Sequence, residues 1–469
     1  MVTTFLVALD MTAVNVGLLA IARSLHSDVA GSSAVSIAYL TGAAACMPLA
    51  GALTQRWGPR RLYLIALALF LLASAACAAS ATLPELVVGR AVQGAASGML
   101  APLVAGMLFR AFDAQERVGI ARLLMIGWVS APALGPLFGG WCVTVLSWRW
   151  IFLVTVLLGT VLFGFCARAL PKERVAGART ADRLGWWLSP VGLSLVFFAL
   201  ARSAGSGWSD GWVLGSAACG ALLVTVFVLA EIRSAAPLLR LRLLADVAFW
   251  TPNLVSLLGV TAFSGLIFLV PLLVQAGHGG SPLAAGESIF WEAIGVQLAS
   301  QVAGRSYRRI GPYRLMALGL LGTSAVVLLL LDFGPHTSLW WLRLAVFTIG
   351  LCMGGFFMPV QVIGYERVSH ADLGHATAVV NIQRQLASAL GVAVLGTVLT
   401  HDAHGTTIPF GAFHVGVVVI ATLSALAGGV SWWASIRTGR TEAATQTATG
   451  PEISPSSPAT SPPNSSPQT

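Results

Sequence analysis

Apolar segments about as long as a bilayer is thick recur along the chain, and no other feature of the sequence constrains the fold as strongly. A membrane-spanning helix needs about 20 mostly apolar residues, and fourteen such segments lie between Met1 and Ser435. Their approximate spans are 3–22, 33–54, 62–80, 84–108, 119–140, 148–167, 186–202, 212–232, 249–273, 283–303, 315–332, 339–363, 375–399 and 411–435. Only 10% of the residues are charged, far fewer than in a soluble domain. The sequence therefore predicts an all-α integral membrane protein with fourteen transmembrane helices.

The positive charges follow the predicted loops and so indicate an orientation. Of the 27 Lys and Arg residues, 21 lie in loops after even-numbered helices or in the carboxyl-terminal tail, and 4 lie in loops after odd-numbered helices. Loops rich in Lys and Arg stay in the cytoplasm. We therefore expect a bacterial inner (plasma) membrane protein with both termini in the cytoplasm. A nucleic-acid-binding protein would cluster its basic residues on a soluble domain, so no nucleic-acid partner is expected.

A twelve-residue loop motif occurs twice and indicates an internal repeat. G-A-L-T-Q-R-W-G-P-R-R-L begins at Gly51, G-R-S-Y-R-R-I-G-P-Y-R-L begins at Gly304, and the two agree at six positions. The motifs follow helices 2 and 10, so two six-helix halves fit if helices 7 and 8 are an inserted pair. Parallel halves with a substrate site between them are one architecture of secondary transporters. We predict an amino-terminal half (1–170), two inserted helices with cytoplasmic loops (171–245), a carboxyl-terminal half (246–440) and a disordered cytoplasmic tail (441–469).

Several segments resemble those of one transporter superfamily. The loop motif at Gly51 is similar to the signature between helices 2 and 3 of the major facilitator superfamily, and the 6+2+6 plan resembles its fourteen-helix drug:proton antiporter branch. Further agreement with that branch is seen in L-D-M-T-A-V-N-V from Leu9, G-R-A-V-Q-G-A-A-S-G from Gly89, A-L-G-P-L-F-G-G-W from Ala133, S-W-R-W-I-F from Ser147 and A-T-A-V-V-N-I-Q-R-Q-L from Ala376. The resemblance covers roughly residues 1 to 435. It implies the major facilitator fold and multidrug efflux in exchange for protons.

The loop motif also departs from the family pattern. The predicted cytoplasmic gate loop contains Gly51, Arg56, Gly58, Arg60 and Arg61. Gln55 stands where the family usually has an acidic residue, which removes a charge partner that family members can use to steady the gate. The Asn and Pro common after the W-R-W-I-F segment are replaced by Val154 to Leu158. We therefore expect gate energetics that differ from the family norm.

Ionisable residues inside predicted helices are candidate functional sites, because a charge at the helix centre costs about 2.5 to 3.5 kcal/mol on insertion scales. Asp10 on helix 1 is the candidate proton carrier, and Arg90 on helix 4 could hold it ionised until a proton or substrate binds. Gln93 lies one turn from Arg90 and is expected on the same face. Glu292 on helix 10 is a second candidate, for a proton or a cationic substrate. Structural pairing with a neighbouring helix is the alternative for these residues.

Two other helices carry candidates for gating and movement. On helix 13, Asn381 and Arg384 are candidates for gating or substrate contact, with gating or packing favoured. Helix 5 carries small residues at four-residue spacing with a nearby proline: Gly127, Ala131, Gly135 and Gly139, with Pro136. Such spacing lets helices approach closely, so this stripe is predicted to be a moving seam between the halves. It resembles the antiporter signature of exporters and favours efflux over uptake; ordinary close packing is the alternative.

The sequence lacks the residues that other classes of function require. The only lysine, Lys172, is not in a phosphate-binding loop, so the chain carries no Walker-type ATPase and transport would draw on an ion gradient. The H-D-A-H stretch at His401 is more typical of an external loop than of a metal site. We expect no cofactor, no metal, no enzymatic activity, and a monomer in the lipid bilayer that exchanges small organic compounds such as drugs or antibiotics for protons. The alternatives are an importer or facilitator of the same fold, or a non-transporting membrane sensor or assembly protein.

Overall fold

The computed structural model describes residues 2–448 apart from several short segments. The segments outside the description are 27–28, 113–115, 117–118, 120–126, 128–129, 132–133, 136, 172–184, 235–238, 280–281, 335–336, 367, 369–371 and 402–409. Every regular element within the described residues is helical. This agrees with the predicted all-α class.

The helices follow one another along the chain with short connections. The first seven are α1 (Val2–Ser24), α2 (Val29–Cys46), α3 (Leu49–Trp57), α4 (Pro59–Ala79), α5 (Leu83–Ala111), α6 (Leu137–Leu146) and α7 (Arg149–Ala169). The remainder are α8 (Gly185–Ser206), α9 (Gly211–Arg233), α10 (Val247–Leu272), α11 (Pro282–Ile310), α12 (Pro312–Leu328), α13 (Leu339–Ile363), α14 (Leu373–His401) and α15 (Phe410–Ala448). Short 3-10 turns cover Leu241–Ala245 and Leu329–Asp332, and π turns cover Cys142–Leu146 and Leu273–Gly277.

Most of these helices have the length and composition of membrane spans. Among the described residues, ten are long and apolar enough to cross a bilayer, or eleven when the bent pair α2–α3 counts as one. In contrast, α11 is less apolar, because it carries Glu287, Glu292 and three arginines. The chain is therefore a multi-pass helical membrane protein, and the count of fourteen spans stays a prediction.

The structure adds detail to two of the predicted segments. The second span was expected as one helix over 33–54, but α2 and α3 are separate and meet at an angle of 54°. Pro48 lies at the break, where its ring and missing N–H prevent a continuous helix. At the predicted tail, α15 continues to Ala448, and the disorder of the tail stays a prediction. The added residues, T-E-A-A-T-Q-T-A, contain no helix breaker before Gly450 and Pro451.

The helices pack around separate cores in the two halves. One cluster of buried side chains joins α10 to α15, and two others join α1, α2, α4, α5 and α7. Helix α8, one of the pair predicted to be inserted, packs on α9 and also contacts α2 and α14. The amino-terminal half meets α14 directly through α3 and α5. The contacts of α3 and α5 with α14 bring the gate loop next to the other half.

The two copies of the loop motif have the same local backbone. Gly58 (φ 80°, ψ 153°) precedes α4, and Gly311 (φ 87°, ψ 147°) precedes α12. Each glycine is followed by a proline at the first turn of the next helix. The positive φ favours glycine, and proline suits the first helical position because it lacks an N–H. The repeat found in the sequence is therefore also a repeat of turn geometry.

Candidate functional site

A buried ion pair joins α1 to α5. Arg90 Nη1 lies 2.7 Å from Asp10 Oδ2, and the two side chains are 1% and 0% exposed. Arg90 is also the largest fully buried side chain among the described residues. Two charges removed from solvent in this way stay ionised only while they satisfy each other. The pair is therefore the strongest candidate site in the amino-terminal half.

Polar neighbours complete the coordination of the Asp10 carboxylate. Gln93 Nε2 donates to Asp10 Oδ1 at 3.1 Å, while Gln93 Oε1 accepts from Arg90 Nη1 at 2.7 Å. Thr155 of α7 donates to the same Asp10 oxygen at 3.5 Å. The guanidinium carbon of Arg90 lies 4.2 Å from the centre of the Tyr39 ring, which adds a cation–π contact. The structure thus brings together Asp10, Arg90 and Gln93, as the sequence suggested.

Tyr39 and Thr155 were missed by the sequence analysis. Tyr39 lies on α2 and reaches Arg90 because α2 and α5 approach closely through glycines. A Cβ on Gly94 would lie 2.9 Å from the Cα of Tyr39. The G-A-A-S-G spacing of α5 signals this close approach, but not which residue of α2 faces it. Thr155 carries no comparable signal, since its role depends on the rotation of α7.

The first turn of α5 fixes the start of the helix that carries Arg90. Thr82 accepts a hydrogen bond from the backbone N–H of Glu85, and the Glu85 side chain accepts from the backbone N–H of Thr82. This reciprocal capping box defines where the helix begins. Arg90 and Gln93, three residues apart, consequently point to one side of α5. The local sequence at the start of α5 therefore determines which residues of the helix face Asp10.

The small-residue stripe of helix 5 packs against α1. Gly127, Ala131, Gly135 and Gly139 are all buried and helical, whereas Pro136 lies outside the described residues. Thr12 donates to the carbonyl oxygen of Ala131 at 3.3 Å. A Cβ on Gly139 would lie 2.8 Å from the Cα of Ala13.

The position of this stripe differs from the expectation of a seam between the halves. The nearest neighbours of Gly135 and Gly139 belong to α1, in the same half. Thr12 and Ala13 are small enough for the two backbones to meet, which explains the close packing. Because they follow Asp10 by two and three residues, the stripe supports the helix that carries the ion pair.

Glu292 lies apart from the Asp10 network, on α11. Its side chain is 3% exposed, and its Oε1 is buried without a hydrogen-bond partner in the described part of the chain. No ion pair of Glu292 is found among those residues. Beside it, α11 packs closely on α13, where a Cβ on Gly350 would lie 3.0 Å from the Glu292 carbonyl carbon. The carboxyl-terminal half therefore holds a second, unsatisfied carboxylate.

The polar residues of α14 form separate contacts. Arg384 donates to Gln361 Oε1 of α13 at 2.5 Å. Asn381 donates to the carbonyl of Thr377 one turn earlier, at 2.8 Å. Gln361 was missed because a lone glutamine on α13 carries no motif. The Arg384 bond joins α14 to α13, whereas the Asn381 bond lies within α14.

The segment predicted as the gate loop forms α3 and the start of α4, and it contacts the beginning of α14. Gln55 Nε2 lies 2.7 Å from His375 Nε2, and a Cβ on Gly51 would lie 3.7 Å from His375 Nδ1. Arg60 donates to the carbonyl of Ala167 on α7 at 2.6 Å. The side chains of Arg56 and Arg61 are exposed. Gln55, the residue that departs from the family pattern, thus links the two halves through His375, which was not predicted.

Comparisons with known proteins agree with this architecture. A family model described as Major Facilitator Superfamily matches residues 1–392 and again residues 254–461. The "Multidrug resistance protein B homolog" of Mycobacterium tuberculosis is 28% identical over 407 residues, covering 84% of this chain and 74% of that protein. The "Uncharacterized MFS-type transporter YhcA" of Bacillus subtilis is 27% identical over 406 residues, covering 85% of this chain and 75% of that protein.

Solved structures show the same fold at lower sequence identity. The crystal structure of the human organic anion transporter MFSD10 (TETRAN) superposes with a TM-score of 0.65 at 16% identity. The superposition covers 92% of this chain and 98% of that chain. Helices, repeat and family model together lead to one assignment. The chain belongs to the major facilitator superfamily.

Proposed function

We propose that this protein is a secondary active exporter that exchanges small organic compounds, hydrophobic or cationic, for protons across a bacterial inner membrane. Family membership supports transport of a small molecule, and a relative named for multidrug resistance supports drugs as the substrate class. The observation that carries the proposal is the fully buried ion pair of Asp10 and Arg90. Ionisable groups buried in membrane spans are costly and mark ion or substrate pathways.

Protonation of Asp10 is the step that would couple the proton gradient to movement. Adding a proton removes the negative charge that satisfies Arg90, and leaves the guanidinium buried beside Tyr39 and Gln93. Breaking a buried ion pair from one side costs about 3 to 5 kcal/mol. A proton crossing 100 mV of membrane potential supplies about 2.3 kcal/mol. These magnitudes are similar, so protonation can shift the balance between two conformations.

The helix that carries Asp10 is also the one held by the small-residue stripe. Thr12 and Ala13 contact Ala131 and Gly139 directly after the Asp10 turn. Small residues on both sides allow one helix to slide or tilt over the other with little steric obstruction. We therefore assign the stripe the role of a track for α1, within the amino-terminal half, and the efflux direction continues to rest on its resemblance to the antiporter signature.

The topology proposed for this function is fourteen spans in a 6+2+6 arrangement, with both termini in the cytoplasm, as a monomer. In support, α1 and α11 cover the first and tenth predicted spans. The shared turn geometry at Gly58 and Gly311 supports the repeat of six helices. Arginine-rich loops after even-numbered helices support the orientation.

Two alternatives are separated by their requirements. An importer or facilitator of the same fold would share Asp10 and Arg90 but would move substrate in the other direction. A membrane sensor or assembly protein would not need a buried ion pair on a helix packed against a small-residue stripe. Direction and gradient dependence of transport therefore distinguish all three.

The test is accumulation of a fluorescent cationic dye in everted membrane vesicles with an imposed proton gradient. We expect wild type to accumulate dye only while the gradient lasts, and Asp10→Asn and Arg90→Ala to abolish accumulation. Asp210→Asn, which alters a partly exposed carboxylate at the start of α9, is the matched control and should transport normally. Gradient-dependent accumulation that survives Asp10→Asn would move the proton site to Glu292, and accumulation independent of the gradient would contradict proton exchange.

A further inference from the structure

An open groove runs along the outer surface of the carboxyl-terminal half, at the end that carries the α11–α12 turn. It has a volume of about 520 Å³, within the range of small-molecule sites. Its apolar lining comes from α11 and α13: Leu298, Ala299, Val302, Ala303, Leu351 and Gly355. Leu298 and Val302 are 53% and 59% exposed, so the groove opens outward to the lipid. The small side chains at Ala299, Ala303 and Gly355 leave its floor unfilled.

The length of the groove corresponds to one leaflet of a bilayer. Along α11 it extends from Leu298 to Ile310, twelve residues or about 18 Å at 1.5 Å per residue. Half of a typical hydrocarbon core is about 15 Å thick. Leu351 lies twelve residues before the end of α13 at Ile363, so the wall formed by α13 reaches a similar depth. A single acyl chain entering from the end of the bundle fits these dimensions.

Positive charge surrounds the mouth of the groove. Arg305 lines it directly, and Arg308, Arg309 and Arg314 follow at the end of α11 and the start of α12. All four are exposed, and none forms an ion pair within the described part of the chain. This excess of unpaired arginine over an apolar groove is complementary to an anionic headgroup.

An acidic side chain at this end, Glu366, is bound to a residue outside the groove. Glu366 accepts a hydrogen bond from Tyr307 at 2.6 Å. Tyr307 is buried and lies two residues from Arg305, which places the two side chains on opposite sides of α11. Glu366 therefore does not neutralise the mouth of the groove.

A polar group inside the groove also lacks a partner. Gln301 lines the groove one turn deeper than Arg305, and its Nε2 is buried without a hydrogen-bond partner among the described residues. A buried donor left unsatisfied costs about 1 to 3 kcal/mol. In a phospholipid, ester carbonyls lie just below the phosphate, where they can accept from this amide.

We propose that the groove between α11, α12 and α13 binds one anionic phospholipid, with its phosphate at Arg305 and an acyl chain over Ala299 and Ala303. The headgroup contacts supply selectivity for charge, and the groove supplies a fixed position. The bound lipid covers one side of the α11–α13 contact on which Glu292 also lies. This site is independent of the direction and energy source of transport.

The test is native mass spectrometry of the full-length protein in detergent, titrated with phosphatidylglycerol or with phosphatidylcholine of the same acyl chains. We expect one phosphatidylglycerol to bind more tightly than phosphatidylcholine. Arg305→Ala should weaken phosphatidylglycerol binding about fivefold, the effect of one arginine at a membrane surface, and leave phosphatidylcholine unchanged. Leu298→Ser should weaken both lipids. Glycerol 3-phosphate should not bind, because it has no acyl chain.

The control variant is Arg233→Ala, which removes an exposed arginine at the end of α9. It should leave both lipids unaffected. Equal binding of the two lipids to wild type would overturn the proposal, as would an Arg305→Ala protein that binds like wild type. A loss in Arg233→Ala as large as in Arg305→Ala would also overturn it, because it would show diffuse attraction to charge. Arg305 and Leu298 are exposed, so these variants keep the fold, which an unchanged unfolding temperature verifies.

Discussion

The two halves of the molecule each bury one carboxylate, but in opposite electrostatic surroundings. Asp10, 0% exposed, is held by Arg90, Gln93 and Thr155. Glu292, 3% exposed, has a buried oxygen without a partner in the described part of the structure. Burial is therefore nearly identical, and the difference lies in whether a cation is built into the fold.

This difference suggests a division of labour between the halves. A buried ion pair destabilises the fold mainly when it is broken. Asp10 is therefore suited to a conformational change that its protonation triggers. An unpaired buried carboxylate is costly as it stands, so it is expected to be protonated or to await a positive ligand. Within the proposed function, the amino-terminal half would carry the coupling proton and the carboxyl-terminal half would recognise the cation.

The largest expected effect comes from breaking the pair. Arg90→Ala leaves Asp10 buried without its cation, and we expect the free energy of unfolding to fall by about 3 to 5 kcal/mol. Asp10→Asn leaves Arg90 unpaired in the same way. Because each single change leaves the other charge unpaired, the double variant Asp10→Asn/Arg90→Ala should be more stable than the sum of the two single effects predicts. Denaturant unfolding of purified protein measures all three.

The control for this cycle is Arg233→Ala, an exposed arginine whose loss should change the free energy of unfolding by less than about 0.5 kcal/mol. Additive effects of the two single changes at Asp10 and Arg90 would contradict the interpretation of the pair as one energetic unit.

The opposite sign is expected at Glu292. Replacing it by methionine removes a buried unsatisfied group, so Glu292→Met should be more stable than wild type by about 1 to 3 kcal/mol. The same variant should lose transport of cationic dyes while retaining transport of neutral compounds. Dye accumulation in everted vesicles and unfolding of purified protein measure the two consequences separately.

A gain of stability with loss of cation transport is the expected trade-off at a functional site. If Glu292→Met proved as destabilising as Arg90→Ala, Glu292 would have a partner in the working protein, and the contrast between the halves would disappear.

A smaller effect is expected where α1 rests on the small-residue stripe. A methyl group at Gly139 would press on the backbone of Ala13, so Gly139→Ala should cost about 1 to 3 kcal/mol and slow transport. Gly140 is the matched control, since a Cβ there meets nothing within 4 Å. Gly140→Ala should stabilise the helix by about 0.4 to 1 kcal/mol. Equal transport by the two variants would contradict the role of the stripe as a track for α1.

The sequence alone identifies the buried charged residues, but it does not identify the contacts that distinguish Asp10 from Glu292. Asp10, Arg90 and Glu292 are visible because a charge within an apolar segment is rare, and Gln93 follows from helical spacing. Helix positions can also be predicted from the sequence: the predicted span 339–363 coincides with α13. These features depend on local composition and periodicity.

Contacts between residues on different helices cannot be predicted from the sequence in the same way. Asp10 has a cationic partner and, among the described residues, Glu292 has none. This difference depends on the rotation and neighbours of each helix, which one sequence does not encode locally. Tyr39 and His375 were missed for the same reason. The stripe was recognised by its spacing but placed between the halves, because spacing identifies a close-packed face without identifying the helix that packs on it.

The smallest effect is expected at Asp210, a carboxylate that is partly exposed to solvent. Asp210 accepts from the backbone N–H of Trp212 at 2.8 Å and pairs with Arg202 at 2.8 Å. The Trp212 amide, together with Arg202, lowers the pKa of Asp210 below its usual value. A lowered pKa stabilises the fold at pH values above the pKa of the unfolded chain, and this contribution is lost as pH falls through the folded-state pKa.

Asp210→Asn is a clean probe of this charge, because asparagine caps a helix as well as aspartate does. The variant should unfold at a slightly lower temperature than wild type at pH 7, and the gap should close as the pH approaches 3. Thermal unfolding of both proteins at the two pH values measures this. Solvent screens the pair, so the gap at pH 7 should be far smaller than the loss in Arg90→Ala. A gap of similar size would mean that burial does not set the energetic scale of these carboxylates, which is the premise on which the contrast between Asp10 and Glu292 rests.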